Sequence, residues 1–133
     1  SNIGALLRII KAATPPGYRF NKKPGQWASN TFRAIRMEVN NELGVIHSVL
    51  PQAIEALKPN GRIAVLTFQS LEDRIVKSFF KDLSLEKSIS PISRETIPPA
   101  LRLITRKPLT PSEDEIKMNP RSNCSKLRVA EKI

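Results

Sequence analysis

Cysteine and histidine are almost missing from this chain: Cys124 and His47 are the single representatives in 133 residues. One cysteine cannot close an internal disulfide, which is compatible with a reducing compartment. One histidine, with no second histidine or cysteine cluster, leaves no metal-ligand set. A Cys–His nucleophilic pair would be a coincidence of folding, since the two lie far apart in sequence. Glycine is scarce too, with 5 residues, and no glycine-rich phosphate or dinucleotide loop occurs. No apolar run approaches the roughly 18 residues of a membrane span, and no secretory core is visible at the N-terminus. The expectation is a cytoplasmic protein with no membrane partner and no metal.

Acidic residues are outnumbered. Twenty-two Lys and Arg stand against 12 Asp and Glu, a formal charge of +10. Such an excess favours polyanionic partners, nucleic acid first among them. The 40% hydrophobic and 26% charged content is that of a soluble globular protein with a modest core.

The most informative stretch runs from Gly61 to Lys77. Ile63 to Leu66 is a continuous apolar run, as expected of a parallel strand covered on both faces. Gln69-Ser70 breaks it, and Ser70 with Asp73 resembles a capping box that opens a helix. Leu71, Ile75, Val76, Phe79 and Phe80 then recur at helical spacing. Ligands of open α/β sheets bind at the carboxyl ends of strands, so the tip from Gln69 to Arg74 is the first candidate site. Glu72 and Asp73 are adjacent and do not face one another on a helix. Their expected role is to stabilise its N-terminus, each by roughly 0.3–1 kcal/mol.

Elsewhere, Ile3 to Ala13 reads as an apolar-basic helix ended by Thr14-Pro15-Pro16-Gly17. Tyr18 to Gly25 reads as a loop carrying Arg19, Lys22 and Lys23. With Tyr18, Phe20 and Trp27 it could stack on RNA, or the aromatics could simply anchor a surface loop. A long amphipathic helix follows, capped by Ser29 or Asn30, with Phe32, Ile35, Val39, Leu43, Ile46 and Leu50 on one stripe. Pro51 is expected to kink or divide it. Lys58-Pro59-Asn60-Gly61 stops it.

Ser84 to Ala100 reads as a mobile loop, and Leu101 to Lys107 as a second strand. Thr110-Pro111-Ser112-Glu113 opens a short helix with threonine as its cap. Lys126 to Ala130 alternates as a third strand. Three strands make a thin sheet, and the first has at most one neighbour in this chain. Another chain, or the rest of a larger domain, must cover the open edge.

Several segments together resemble the RsmH (MraW) family: Thr31-Phe32-Arg33-Ala34-Ile35-Arg36 with Val39-Asn40-Asn41-Glu42-Leu43, the run Leu57 to Lys77, Lys107 to Glu115, and Asn119-Pro120-Arg121-Ser122 with Ser125 to Glu131. Members use S-adenosylmethionine to methylate N4 of a cytidine in small-subunit ribosomal RNA. The resemblance implies the C-terminal portion of a Rossmann-like methyltransferase α/β sheet, about three strands with the last two antiparallel, and flanking helices. Residues 1–28 would be part of an insert or linker, and residues 29–133 the C-terminal half of the domain.

The resemblance places the family's donor loop, acidic ribose-binding residue and active-site segment on four earlier strands. No cofactor-binding or catalytic residue is therefore expected here, and the chain alone is expected to be inactive. Asn30, Arg36, Asn40, Gln69, Ser70, Glu72, Arg74 and Arg121 are implied to face the RNA. Where family members usually carry histidines, this chain has Gln26 and Gln69; where they carry arginines, it has Asn30 and Asn123. Glutamine keeps a hydrogen bond but cannot titrate near neutral pH. Three readings follow: part of such an enzyme, a non-catalytic relative that binds ribosomal RNA or the small subunit, or one half of a split enzyme. In each, a second chain or copy could cover the open edge.

Overall fold

A computed structural model describes residues 2–20, 26–88 and 96–133. The chain divides into two compact units, residues 1–42 and 43–133.

The first unit is helical. Helix α1, Ile3–Ala13, begins at Asn2, whose side-chain oxygen accepts from the Ala5 amide at 2.9 Å. It ends at Thr14, whose hydroxyl donates back to the Ile10 carbonyl at 2.6 Å. The expected loop after it is helical at its start, because Pro16 is pre-set for a first helical position and opens α2, Pro16–Phe20. The remainder of that loop, with Lys22 and Lys23, lies outside the described residues. A 3-10 turn, Gln26–Ala28, runs directly into α3, Ser29–Val39. Neither Ser29 nor Asn30 caps α3; the cap position is Ala28, already in helical conformation and almost fully buried.

The expected long helix is broken ten residues before Pro51. Asn41 adopts a positive φ of 49°, a conformation that asparagine tolerates and a continuing helix does not. Helix α4, Glu42–Ala56, starts after it and runs through Pro51 undivided. The Pro51 ring sits on an exposed position.

The second unit has a three-stranded antiparallel sheet with two helices, α4 and one that follows β1, packed on one face. Strand β1, Arg62–Thr67, leads into α5, Ser70–Leu83. A short antiparallel pair follows, β2 (Lys87–Ser88) with β3 (Thr96–Ile97), in the stretch expected to be a mobile loop. Strand β4 is Leu101–Leu103, helix α6 is Glu113–Met118 and β5 is Lys126–Lys132. The second strand is shorter than expected because Ile104 and Thr105 both donate to the Val129 carbonyl, at 3.0 and 3.1 Å, and turn the chain aside. Ser112, not Thr110, caps α6: its hydroxyl accepts from the Glu115 amide at 3.2 Å.

The strand order is β1-β5-β4, so the last strand in sequence is central. It pairs antiparallel with both neighbours, Ile63 opposite Ala130 and Leu103 opposite Ala130 on the other side. Strands β1 and β4 are thereby parallel to each other, and both carboxyl ends lie at the same edge of the sheet. The core is Leu50 and Ile54 of α4, Val76 and Phe80 of α5, Leu101 and Ala130, with Ile63 and Val65 packed against it.

Facing pairs share a side of the sheet. Arg128, opposite Val65, therefore points at the core, while Ala64, Leu66, Leu127 and Val129 point the other way. The expected alternation of β5 is present, with Lys126 and Arg128 on the core side. Leu127 and Val129 occupy the second face while Ala130 faces the core, and Leu66 of β1 on the second face is 54% exposed. Strand β1 was expected to be covered on both faces; among the described residues only one is covered.

Candidate functional site

At the carboxyl end of β1 the chain passes Thr67, Phe68 and Gln69 and enters α5. The capping box is shifted one residue from the expected Ser70–Asp73 pair. Gln69 is the cap residue, and one Glu72 oxygen accepts from the Phe68 and Gln69 amides, at 3.0 and 3.1 Å. One carboxylate thus satisfies two otherwise orphaned donors and makes the strand-to-helix elbow stiff.

Asp73 is free for another partner. Arg128 donates to it through Nε at 2.7 Å and Nη2 at 3.1 Å, and Lys126 Nζ lies 3.6 Å away. Both members of the Asp73–Arg128 pair are buried. Hydrogen bonding to Arg128 holds the Asp73 carboxyl below its ordinary range, against a smaller opposing effect of desolvation.

On the opposite face, Glu131 of β5 joins all three strands. It accepts from Arg62 Nε of β1 at 2.8 Å and from Arg102 of β4. These hydrogen bonds, that of Arg62 first, lower its pKa. Lys132 reaches back to the end of α4, where its ammonium donates to the Ile54 and Leu57 carbonyls, each at 2.8 Å. That satisfies orphan acceptors and complements the negative end of the helix.

A groove of about 490 Å3 lies along β1, lined by Ile63 to Thr67 of β1, by Phe68 just beyond it, and by Ile46, Val49 and Ala53 of α4. Its wall is mainly apolar, and β1 has no strand neighbour on this side among the described residues. Such an edge offers a row of unpaired backbone donors and acceptors.

The residues singled out from the sequence fall into separate groups. In the first unit, Asn30 is exposed on α3, and Arg36 holds Glu42 through Nε at 2.8 Å and Nη2 at 3.2 Å. Asn40 ends α3 and donates to the same carboxylate at 3.3 Å. Arg36 is the main cause of the lowered Glu42 pKa. In the second unit, Gln69, Ser70 and Glu72 form the elbow. Arg74 is exposed beside a different cavity, with Phe79 and Asp82. Arg121 is exposed in the 3-10 turn Pro120–Cys124 that leads into β5. Arg128, Glu131 and Lys132 were not singled out. The signal available was a strand unusually rich in charge, which implies carboxylates or carbonyls waiting for it.

Two parallel strands flanking a central antiparallel one, with helices on one face, give the α/β architecture expected of the C-terminal portion of a methyltransferase sheet. Residues 1–133 match the model of the MraW methylase family. The chain belongs to that family. It is 50% identical over 131 residues to a protein from Lactobacillus delbrueckii subsp. bulgaricus, covering 96% of this chain and 41% of that protein. It is 47% identical over 131 residues to one from Heliobacterium mobile, with the same coverage. A Clostridioides difficile protein is 48% identical over 134 residues, covering 98% of this chain and 42% of that protein. All three are named ribosomal RNA small subunit methyltransferase H. The chain spans about two fifths of the length of these curated relatives. No helix among the described residues is long and apolar enough to cross a membrane.

Proposed function

We propose that this chain is the C-terminal portion of a cytoplasmic enzyme that methylates N4 of a cytidine in small-subunit ribosomal RNA. The methyl donor is S-adenosylmethionine, bound by residues outside this chain. Methyl transfer requires the sulfonium and the acceptor nitrogen to be held in line at near-attack distance. In this reading the remainder of the sheet carries the donor, and this chain closes the sheet and presents a basic surface to the RNA.

The observation that carries the reading is the bare side of β1. An apolar strand with one neighbour, and an apolar sheet face without a helix, belong to a chain that matches about two fifths of its relatives. The remaining length of such a relative supplies the missing strand and cover. Of the RNA-facing candidates, Ser70, Arg74 and Arg121 are best placed, since their side chains have no hydrogen-bond or ion-pair partner among the described residues. Arg36, Asn40 and Glu72 are already engaged within the protein. Asn30 and Gln69 complete the set, Gln69 by hydrogen bonding without a proton to give.

The test is methyl transfer from labelled S-adenosylmethionine to unmodified small ribosomal subunits. The chain alone should neither bind donor nor transfer methyl. Co-expression with the part of the Lactobacillus delbrueckii relative that it does not match should restore both. Donor binding by the isolated chain would overturn the placement of the donor site. Restored donor binding without transfer, alongside salt-sensitive RNA binding, would favour a non-catalytic ribosome-binding relative, a reading to which Gln69 in place of the family's histidine lends support.

A further inference from the structure

A small cavity of about 100 Å3 lies between α5 and the segment that follows β4. Buried Phe80 and Arg128 and half-buried Leu103 line it together with exposed Lys77, Lys81 and Arg106, with no carboxylate among the lining residues. Arg128 is neutralised by Asp73. Lys77, Lys81 and Arg106 are exposed, and their side chains have no ion-pair partner among the described residues. By contrast, the cavity beside Arg74 carries Asp82 as well. Three uncompensated cations around one concavity repel one another, which is an arrangement that a bound anion relieves.

The cations are held in place by the fold. Lys77 and Lys81 are four apart on α5 and so share a face. Arg106 follows Thr105, whose hydroxyl accepts from the Val129 amide at 2.8 Å while its own amide donates to the Val129 carbonyl at 3.1 Å. Leu109 then exchanges two 2.9 Å backbone bonds with Leu127. The segment bearing Arg106 and Lys107 is therefore fastened to β5 at both ends. It leaves the sheet at the carboxyl end of β4, the same edge at which β1 meets Gln69.

We propose that this cavity seats a backbone phosphate of the RNA, with Lys77, Lys81 and Arg106 as its ligands. Three cations around one concavity suit a phosphate group, and such a contact positions the strand without reading its sequence. The inference rests on the RNA reading above and adds the place at which the RNA backbone is gripped.

The test uses the full chain and a fluorescein-labelled single-stranded RNA 20-mer, titrated over a series of salt concentrations. The Lys77→Gln/Lys81→Gln/Arg106→Gln variant should bind about tenfold more weakly at low salt. Its plot of log affinity against log salt should be shallower by about 0.7 to 2, equivalent to one to three phosphate contacts. A control variant with the same charge loss elsewhere, Lys11→Gln/Lys58→Gln/Lys87→Gln, should keep the wild-type slope. Equal slopes for wild type and the cavity variant, or equal losses in both variants, would overturn the site while leaving RNA binding intact. No RNA binding by the wild-type chain at low salt would overturn the RNA reading itself. An independent measurement on the wild-type chain is amine acylation. RNA should protect Lys77 and Lys81 several-fold more than Lys58, and uniform protection would count against the site.

Discussion

Arg128 and Asp73 face each other inside the second unit, guanidinium to carboxylate, with bonds of 2.7 and 3.1 Å. The pair ties the first turn of α5 to the central strand, across 55 residues of sequence. Removing one partner leaves a buried charge uncompensated, which costs about 3–5 kcal/mol. Arg128→Ala should therefore lower the urea midpoint sharply. Arg128→Lys, which cannot form the two-pronged contact, should fall between the two.

The same carboxylates set the acid limit of stability. Asp73 and Glu131 both have folded pKa values depressed below their ordinary ones. A depressed carboxylate binds its proton more readily in the unfolded chain, so its contribution is present above the unfolded pKa and is lost as pH falls through the folded one. Thermal unfolding followed by circular dichroism should show little change from about pH 7 to 5 and a falling midpoint below about pH 4. Asp73→Asn should flatten that acid limb.

The turn before β1 has no room for a side chain at Gly61. An added Cβ would sit 2.8 Å from the Lys58 carbonyl oxygen, a backbone atom that cannot swing away. The neighbouring Asn60 already adopts a φ of 64°, and its amide donates to the Lys132 carbonyl at 2.9 Å. Gly61→Ala should destabilise by about 1–3 kcal/mol, measurable as a reduced urea midpoint with unchanged slope.

Lys132→Met keeps the aliphatic stem and removes the ammonium that caps α4. Charge-assisted hydrogen bonds contribute about 1.5–3 kcal/mol. The loss should be local first: hydrogen exchange at the amides of the last turn of α4 should accelerate more than exchange in β5. Uniform acceleration would contradict a capping role.

Leu66 and Phe68 are about half exposed in this chain, at 54% and 51%. Leu66→Ser/Phe68→Ser should change the stability of the isolated chain by no more than about 0.5 kcal/mol. Association with the complementary part of a relative should weaken at least tenfold, by pull-down or titration. No change in association would mean that this apolar face is not the joint.

Helix and strand identities were readable wherever a strong period met a clear stop. Ile3–Ala13, the strand around Ile63–Leu66 and the helix after Gln69 are all present. Boundaries that depend on single side chains were not. Pro51 was expected to kink or divide the long helix, yet the break falls at Asn41, where the Arg36–Glu42 pair and a positive φ act together. The local sign of that break was the asparagine pair Asn40-Asn41, since asparagine tolerates positive φ, but the apolar period running through it masked the sign. Likewise Ser70–Asp73 looked like the capping box because Asp73 is a good helix-opening residue. Its actual partner, Arg128, lies too far along the chain for local reading to find. The open side of β1 was legible, because a wholly apolar strand states how much cover it needs.

The central position of β5 also sets the order in which the second unit can assemble. Arg62 pairs with Glu131, so β1 meets β5 only after nearly seventy further residues have been made. During synthesis α4, β1 and α5 must wait with the surfaces that meet Leu101 and Ala130 uncovered. Contacts of such long sequence separation slow folding, and waiting layers are where chains stick to one another. The strand that completes this unit is thus the last to be made, and it sets how long the layer stays open.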